Sequence, residues 1–128
     1  MMHPKQKFIN MKTTIELEGF FCHPDNISSD IFYHDIYKHI VSDRYTKPIA
    51  KCNVLGKPKS IYLASIENFF NDNEDYGTGF EGTVCIEVTT KQYDKIIDEE
   101  FSGCEIPEIL EVNINGNILN FYPIRWLF

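Results

Sequence analysis

The chain has 128 residues, a net charge of −7 and 43% hydrophobic content, including 10 Phe, 7 Tyr and 1 Trp. That apolar content offsets chain entropy for one domain without covalent staples, which argues against disorder and against a multidomain layout. The acidity argues against direct contact with nucleic acid, and no run approaches the ~18 apolar residues of a membrane span.

Residues 1–10 are polar and unpatterned and lack an apolar signal region, so a flexible tail or an upstream start is expected ahead of one domain at 11–128, with an ordered first strand as the alternative. Met11 heads a start-like run, and a cytoplasmic protein is expected. Residues 13–21 alternate: Thr13, Ile15, Leu17 and Gly19 face one way, Thr14, Glu16 and Glu18 the other, as in a half-buried strand. Ser28, Ser29 and Asp30 are candidate caps for a helix over 29–42, where Phe32, Ile36 and Ile40 recur every fourth residue. Strands are expected at 48–54 and 59–66, joined by Leu55-Gly56-Lys57-Pro58.

Ser65 is expected to cap a short helical turn through Phe70, and residues 71–82 to form a polar, glycine-rich loop. Val84, Ile86 and Val88 mark the next strand. Thr89 or Thr90 caps a helix whose stripe is Tyr93, Ile96, Ile97 and Phe101, stopped by Ser102-Gly103. Asn115-Gly116 predicts a hairpin between 110–114 and 117–122; Pro123 interrupts pairing, and residues 124–128 dock on the body. The expected fold is α+β, a mainly antiparallel sheet with two hairpins and two main helices packed on one face.

Motifs that carry chemistry fit poorly. Gly77-Thr78-Gly79-Phe80-Glu81-Gly82 has the GxGxxG pattern, but an acidic segment precedes it and a strand follows, where a phosphate cradle needs a strand and then a helix. A calcium loop starting at Asn71 puts Tyr76 where glycine belongs and Gly82 where glutamate belongs. His23, His34, His39 and Cys22 lack paired metal-ligand spacing, and His34 and His39, five apart, point to different helix faces. Cys22, Cys52, Cys85 and Cys104, spaced by 30, 33 and 19 residues, read as reduced thiols, with a two-disulfide framework as the alternative. No catalytic residue, metal or cofactor is expected.

Charge is the informative feature. Residues 1–66 balance at +3, residues 67–111 at −11 and residues 112–128 at +1. The excess sits in Asp72, Glu74, Asp75 and Glu81, in Asp98, Glu99 and Glu100 at a helix end, and in Glu105, Glu108 and Glu111. Either it is a solvated face that aids solubility or it is a docking surface. On the second account Tyr76 and Phe80 are the aromatic anchors, and Glu16 and Glu18 on the first strand matter little.

In size, acidity, aromatic richness and lack of a catalytic motif the chain resembles the small acidic immunity proteins of bacterial toxin–immunity pairs. The resemblance implies a non-enzymatic inhibitor whose partner is a basic, nuclease-like toxin domain; it fixes no fold and transfers no site residue. The alternatives are a phage or mobile-element inhibitor that mimics nucleic acid, and a small enzyme with a Cys/His centre. A regulatory subunit would instead show a broad apolar patch.

Overall fold

β1 (Lys12–Cys22) buries Ile15, Leu17, Gly19 and Phe21 and turns Thr14, Glu16, Glu18 and Phe20 outward, as its alternation predicts. This computed structural model describes residues 12–25, 27–40 and 47–127, without the side chains of Lys12 and Asp72. The expected tail at 1–10, the start at Met11, the last turn of the 29–42 helix and Phe128 lie outside the described residues.

The first helical segment, α1, starts as Ser29–Ile31, widens into a π-helical stretch at Phe32–Tyr37 and returns to α over Lys38–Ile40. Ser28 is the cap, its Oγ accepting from the Ile31 N–H at 3.2 Å. Phe32, Ile36 and Ile40, each four residues apart, all reach the core.

β2 (Pro48–Val54), β3 (Lys57–Asn73) and β4 (Gly77–Thr89) follow. Leu55 and Gly56, at φ of 51° and 80°, make a two-residue turn, and Pro58 lies inside β3 rather than in the turn. The predicted helical turn at 65–70 and loop at 71–82 are absent: both stretches belong to a third hairpin. Ser65 Oγ lies 2.7 Å from Thr83 Oγ1 across β3 and β4 instead of capping a helix. Register shifts between Leu63 and Asn73 absorb the irregular residues that resemble a loop in sequence. Only Glu74–Tyr76 turn, with the Asn73 side chain accepting from the Asp75 and Tyr76 N–H groups at 2.9 and 3.0 Å.

α2 (Thr90–Asp98) opens on a capping box between Thr89 and Gln92. It ends three residues earlier than predicted. The Glu100 N–H donates to the Ile97 carbonyl at 3.1 Å, and the Phe101 N–H donates to the Ile96 carbonyl at 2.9 Å. That pair of bonds puts Glu100, at φ 53°, in the left-handed closing position usually held by glycine. Glu100→Gly should therefore raise stability by up to about 1 kcal/mol in thermal unfolding, by relieving backbone strain. A loss of stability would show that the Glu100 side chain makes a compensating contact.

The short β5 (Cys104–Glu105) was not legible in the sequence. β6 (Leu110–Ile114) and β7 (Asn117–Leu127) flank Asn115-Gly116, at φ of 57° and 88°. β7 does not stop at Pro123. Gly19 pairs with Pro123 and Glu18 with Arg125, so Ile124 is the extra residue of a bulge and the strand runs on.

All pairings are antiparallel, in the order β5-β2-β3-β4-β1-β7-β6. The sheet curls into a half-barrel that brings β2 near β6 without pairing them. One core cluster, in which Phe21 stacks on Phe80 at 4.7 Å and meets Phe121 at 4.6 Å, also takes in residues of α1 and α2. Among the described residues no helix is long and apolar enough to cross a membrane.

Candidate functional site

The convex side of the sheet follows from the register. Phe20 lies between Glu81 of β4 and Tyr122 of β7, Glu18 between Thr83 and Arg125, and Glu16 between Cys85 and Leu127. Neighbours in these rows project to the same side, so β1 places two carboxylates and an aromatic ring on the outward surface. Phe20 packs on Tyr76 with centroids 4.7 Å apart and edge-on against Phe70 at 5.7 Å, and Tyr76 meets Tyr122 at 5.1 Å. All four rings are half-buried. Beside them, Glu18, Gly19, Phe20, Glu67, Glu81 and Ile124 line a cleft of about 100 Å³. Glu81 is steadied by the Asn68 side-chain amide, which donates to its Oε2 at 3.3 Å. At the rim, Arg125 reaches Glu18 through Nε at 3.4 Å and Nη2 at 3.5 Å.

The predicted site residues divide among these features. Glu74 and Asp75 are exposed at the β3–β4 turn, and Tyr76 folds back from it onto the convex cluster. Glu81 is on the convex face. Phe80 is not an anchor: it is fully buried on the concave side, against Phe21 and Tyr37. The Asp72 side chain lies outside the described residues. Asp98, Glu99 and Glu100 belong to the far end of the molecule. The carbonyl of Gly103, just beyond them, accepts from the Leu55 N–H at 2.8 Å, fastening that end of α2 to the β2–β3 turn. The β3–β4 turn lies at the other end of β3, a strand of 17 residues with a contour of about 50 Å. Residues 67–111 are thus one acidic block in sequence whose carboxylates are divided between the β3–β4 turn, the convex face and the end of α2.

The carboxylates expected to be neutral to function, Glu16 and Glu18, share the convex face with Glu81. The residues that sequence reasoning missed are Phe20, Phe70, Tyr122, Glu18 and Glu67. A signal for Phe20 existed: it falls in phase with Glu16 and Glu18, an aromatic side chain on the polar side of a strand.

Of the thiols, Cys85 shares the convex row of Glu16 but is buried. Cys22, Cys52 and Cys85 are buried, Cys104 is half-buried, and all four are free. Burial pushes Cys22 up to about 12 and the other three up to about 11, with Cys104 adding to the effect on Cys52, and Glu16 and Glu87 to that on Cys85. They stay protonated at neutral pH. Among the described residues no group of three or more His, Cys, Asp or Glu is placed to hold a metal ion. Two clefts of about 290 and 300 Å³, one over Pro58–Ser60 and Glu87–Thr89 and one between Lys47–Ile49 and Asn113–Gly116, contain neither histidine nor cysteine. The GxGxxG segment lies in strand β4 and does not itself open a helix, as a phosphate cradle requires. No family model, curated protein or solved structure matches the chain.

Proposed function

We propose that this chain is an acidic binding protein that docks a basic protein on its convex sheet face and neutralises it, as an immunity protein does a nuclease-like toxin. One observation carries the proposal: a cluster of half-buried aromatic rings, Phe20, Phe70, Tyr76 and Tyr122, sits among Glu16, Glu18, Glu67 and Glu81 on one surface. Aromatic rings that lose little entropy on binding supply affinity, and a surrounding field of one sign speeds encounter. In this reading both helices pack on the concave side, since Phe32, Ile36, Ile40 and Ile96 join the inner cluster. The convex side is left for a partner.

The test begins with capture from the native host at low salt and identification of the bound protein. Association with that protein is then timed against ionic strength. Changing Glu16, Glu18 and Glu81 together to lysine should slow association at least about tenfold at low salt. The effect should shrink as the screening length falls toward about 8 Å near physiological salt. The same change at Asp98, Glu99 and Glu100 should have a much smaller effect. If the α2-end reversal stops binding and the convex-face reversal does not, the docking site is not the convex face.

A further inference from the structure

We infer that Asn115 is a site of self-modification, at which the Gly116 backbone nitrogen displaces the Asn115 side-chain ammonia, and that the Asn113 side chain holds this reaction in check while the chain is folded. Asn115 is the only asparagine in the chain that precedes glycine. Every other asparagine precedes a residue whose side chain crowds the next nitrogen. Both turn residues are exposed, and a carbon added on Gly116 would have nothing within 4 Å, so nothing else crowds that position. The turn also borders the cleft of about 300 Å³ that it shares with Lys47–Ile49, which admits the water the reaction consumes.

The Gly116 nitrogen gives up its proton to hydroxide, and its electron pair attacks Asn115 Cγ. The side-chain nitrogen leaves as ammonia, and a cyclic imide joins the two residues. Water then opens the imide at either carbonyl, giving aspartate or isoaspartate; nothing is oxidised or reduced. In the folded chain the nitrogen is not free to start. Its N–H donates to Asn113 Oδ1 at 2.9 Å, and losing the proton means losing that bond. The products differ in what they do to the hairpin. Asp-Gly suits the same turn, in which both residues are left-handed at φ of 57° and 88°. Isoaspartate adds a backbone carbon to a turn of fixed length, so the pairing of Ile114 with Asn117 that closes β6 on β7 is lost. Either product puts a new carboxylate in the cleft that Lys47 lines, beside the seam where β2 approaches β6. Conversion at Asn115 therefore marks a chain that has spent time unfolded or with its β6–β7 turn open.

The full chain is incubated in mildly alkaline buffer, natively and in guanidinium chloride, and conversion at each asparagine is followed by peptide mass spectrometry. Asn113→Val removes the acceptor with a residue suited to a strand, and Asn113→Asp keeps an acceptor in place. Conversion should concentrate at Asn115 and be faster in guanidinium chloride than in the native protein. Under native conditions Asn113→Val should speed it about fivefold, the equivalent of one net hydrogen bond, while Asn113→Asp should stay within about twofold of the unchanged protein. Circular dichroism checks that both variants are folded, and the comparison of native with unfolded chain needs no variant. Equal rates in the native and unfolded chain, equal rates for Asn113→Val and the unchanged protein, a rate for Asn113→Asp as high as that for Asn113→Val, or faster conversion at another asparagine would each overturn the inference.

Discussion

Phe80→Ala should destabilise the domain by about 3–5 kcal/mol, enough to lower the melting temperature by about 10 °C or more. Phe80 is fully buried on the central strand β4. Its ring stacks on Phe21 at 4.7 Å with planes 11° apart and meets Tyr37 of α1 at 5.3 Å, while Phe21 in turn packs on Phe121 of β7. Removing the ring opens a void that β1, β4, β7 and α1 all border. A close-packed interior relaxes only partly into such a void, so lost contacts add to lost burial. Urea unfolding of the variant gives the number directly. Tyr76→Ala, from the convex cluster, should cost clearly less stability while weakening partner binding. A cost below about 1 kcal/mol for Phe80→Ala would mean that the ring does not occupy the core. The comparison also separates two causes of lost binding, a vanished contact and a weakened fold, which a screen at the interface alone would confuse.

Gly79→Ala should destabilise by about 3 kcal/mol, the upper part of the usual range for overpacking. A methyl group there would lie 2.0 Å from the Phe21 carbonyl oxygen and 3.0 Å from the Cys22 Cα, both backbone atoms of the paired strand β1. No rotamer change can relieve that contact; the two strands must move apart and lose ladder hydrogen bonds. Gly82→Ala meets the Ser65 carbonyl oxygen at 2.4 Å and should behave alike. Gly116→Ala is the contrasting case. Nothing lies within 4 Å of the added carbon, so only the left-handed backbone at φ 88° resists it, at about 1 kcal/mol. Thermal unfolding of the three variants ranks them. A Gly79→Ala cost no larger than that of Gly116→Ala would show that β1 and β4 are less closely apposed than described.

These glycines mark where the sequence stops being legible. Asn115-Gly116, the Thr89 cap and the alternation of β1 are local signals, each set by a few neighbouring residues, and the structure follows them. Gly79 and Gly82 look like loop residues because their requirement is not local: it comes from Phe21 and Ser65, which are distant in sequence. Ser65 resembles a helix cap in sequence for the same reason, its partner Thr83 being 18 residues away. Pro123 sits beside the bulge at Ile124 in β7, where the pairing with β1 shifts register. The candidate site was legible in kind, as carboxylates with aromatic rings, but not in place. Proximity in sequence grouped Glu81 with Asp98–Glu100, whereas the register groups it with Glu18 and Phe20. Composition counts charges, and only strand pairing assigns them to a face.

The position of β1 bears on how the chain is made. The first described strand sits in the interior of the sheet, between β4 and β7, and its partner in β7 begins at residue 117. Until β4 and then β7 have been translated, the edges of this eleven-residue strand that they cover stay open. Its native pairs are all distant in sequence, so final assembly is slow compared with that of a helical protein of the same length. Glu16 and Glu18 interrupt that waiting strand with charge every second residue. The carboxylates proposed to meet a partner in the finished protein thus serve earlier as gatekeepers, discouraging nascent chains from pairing with one another.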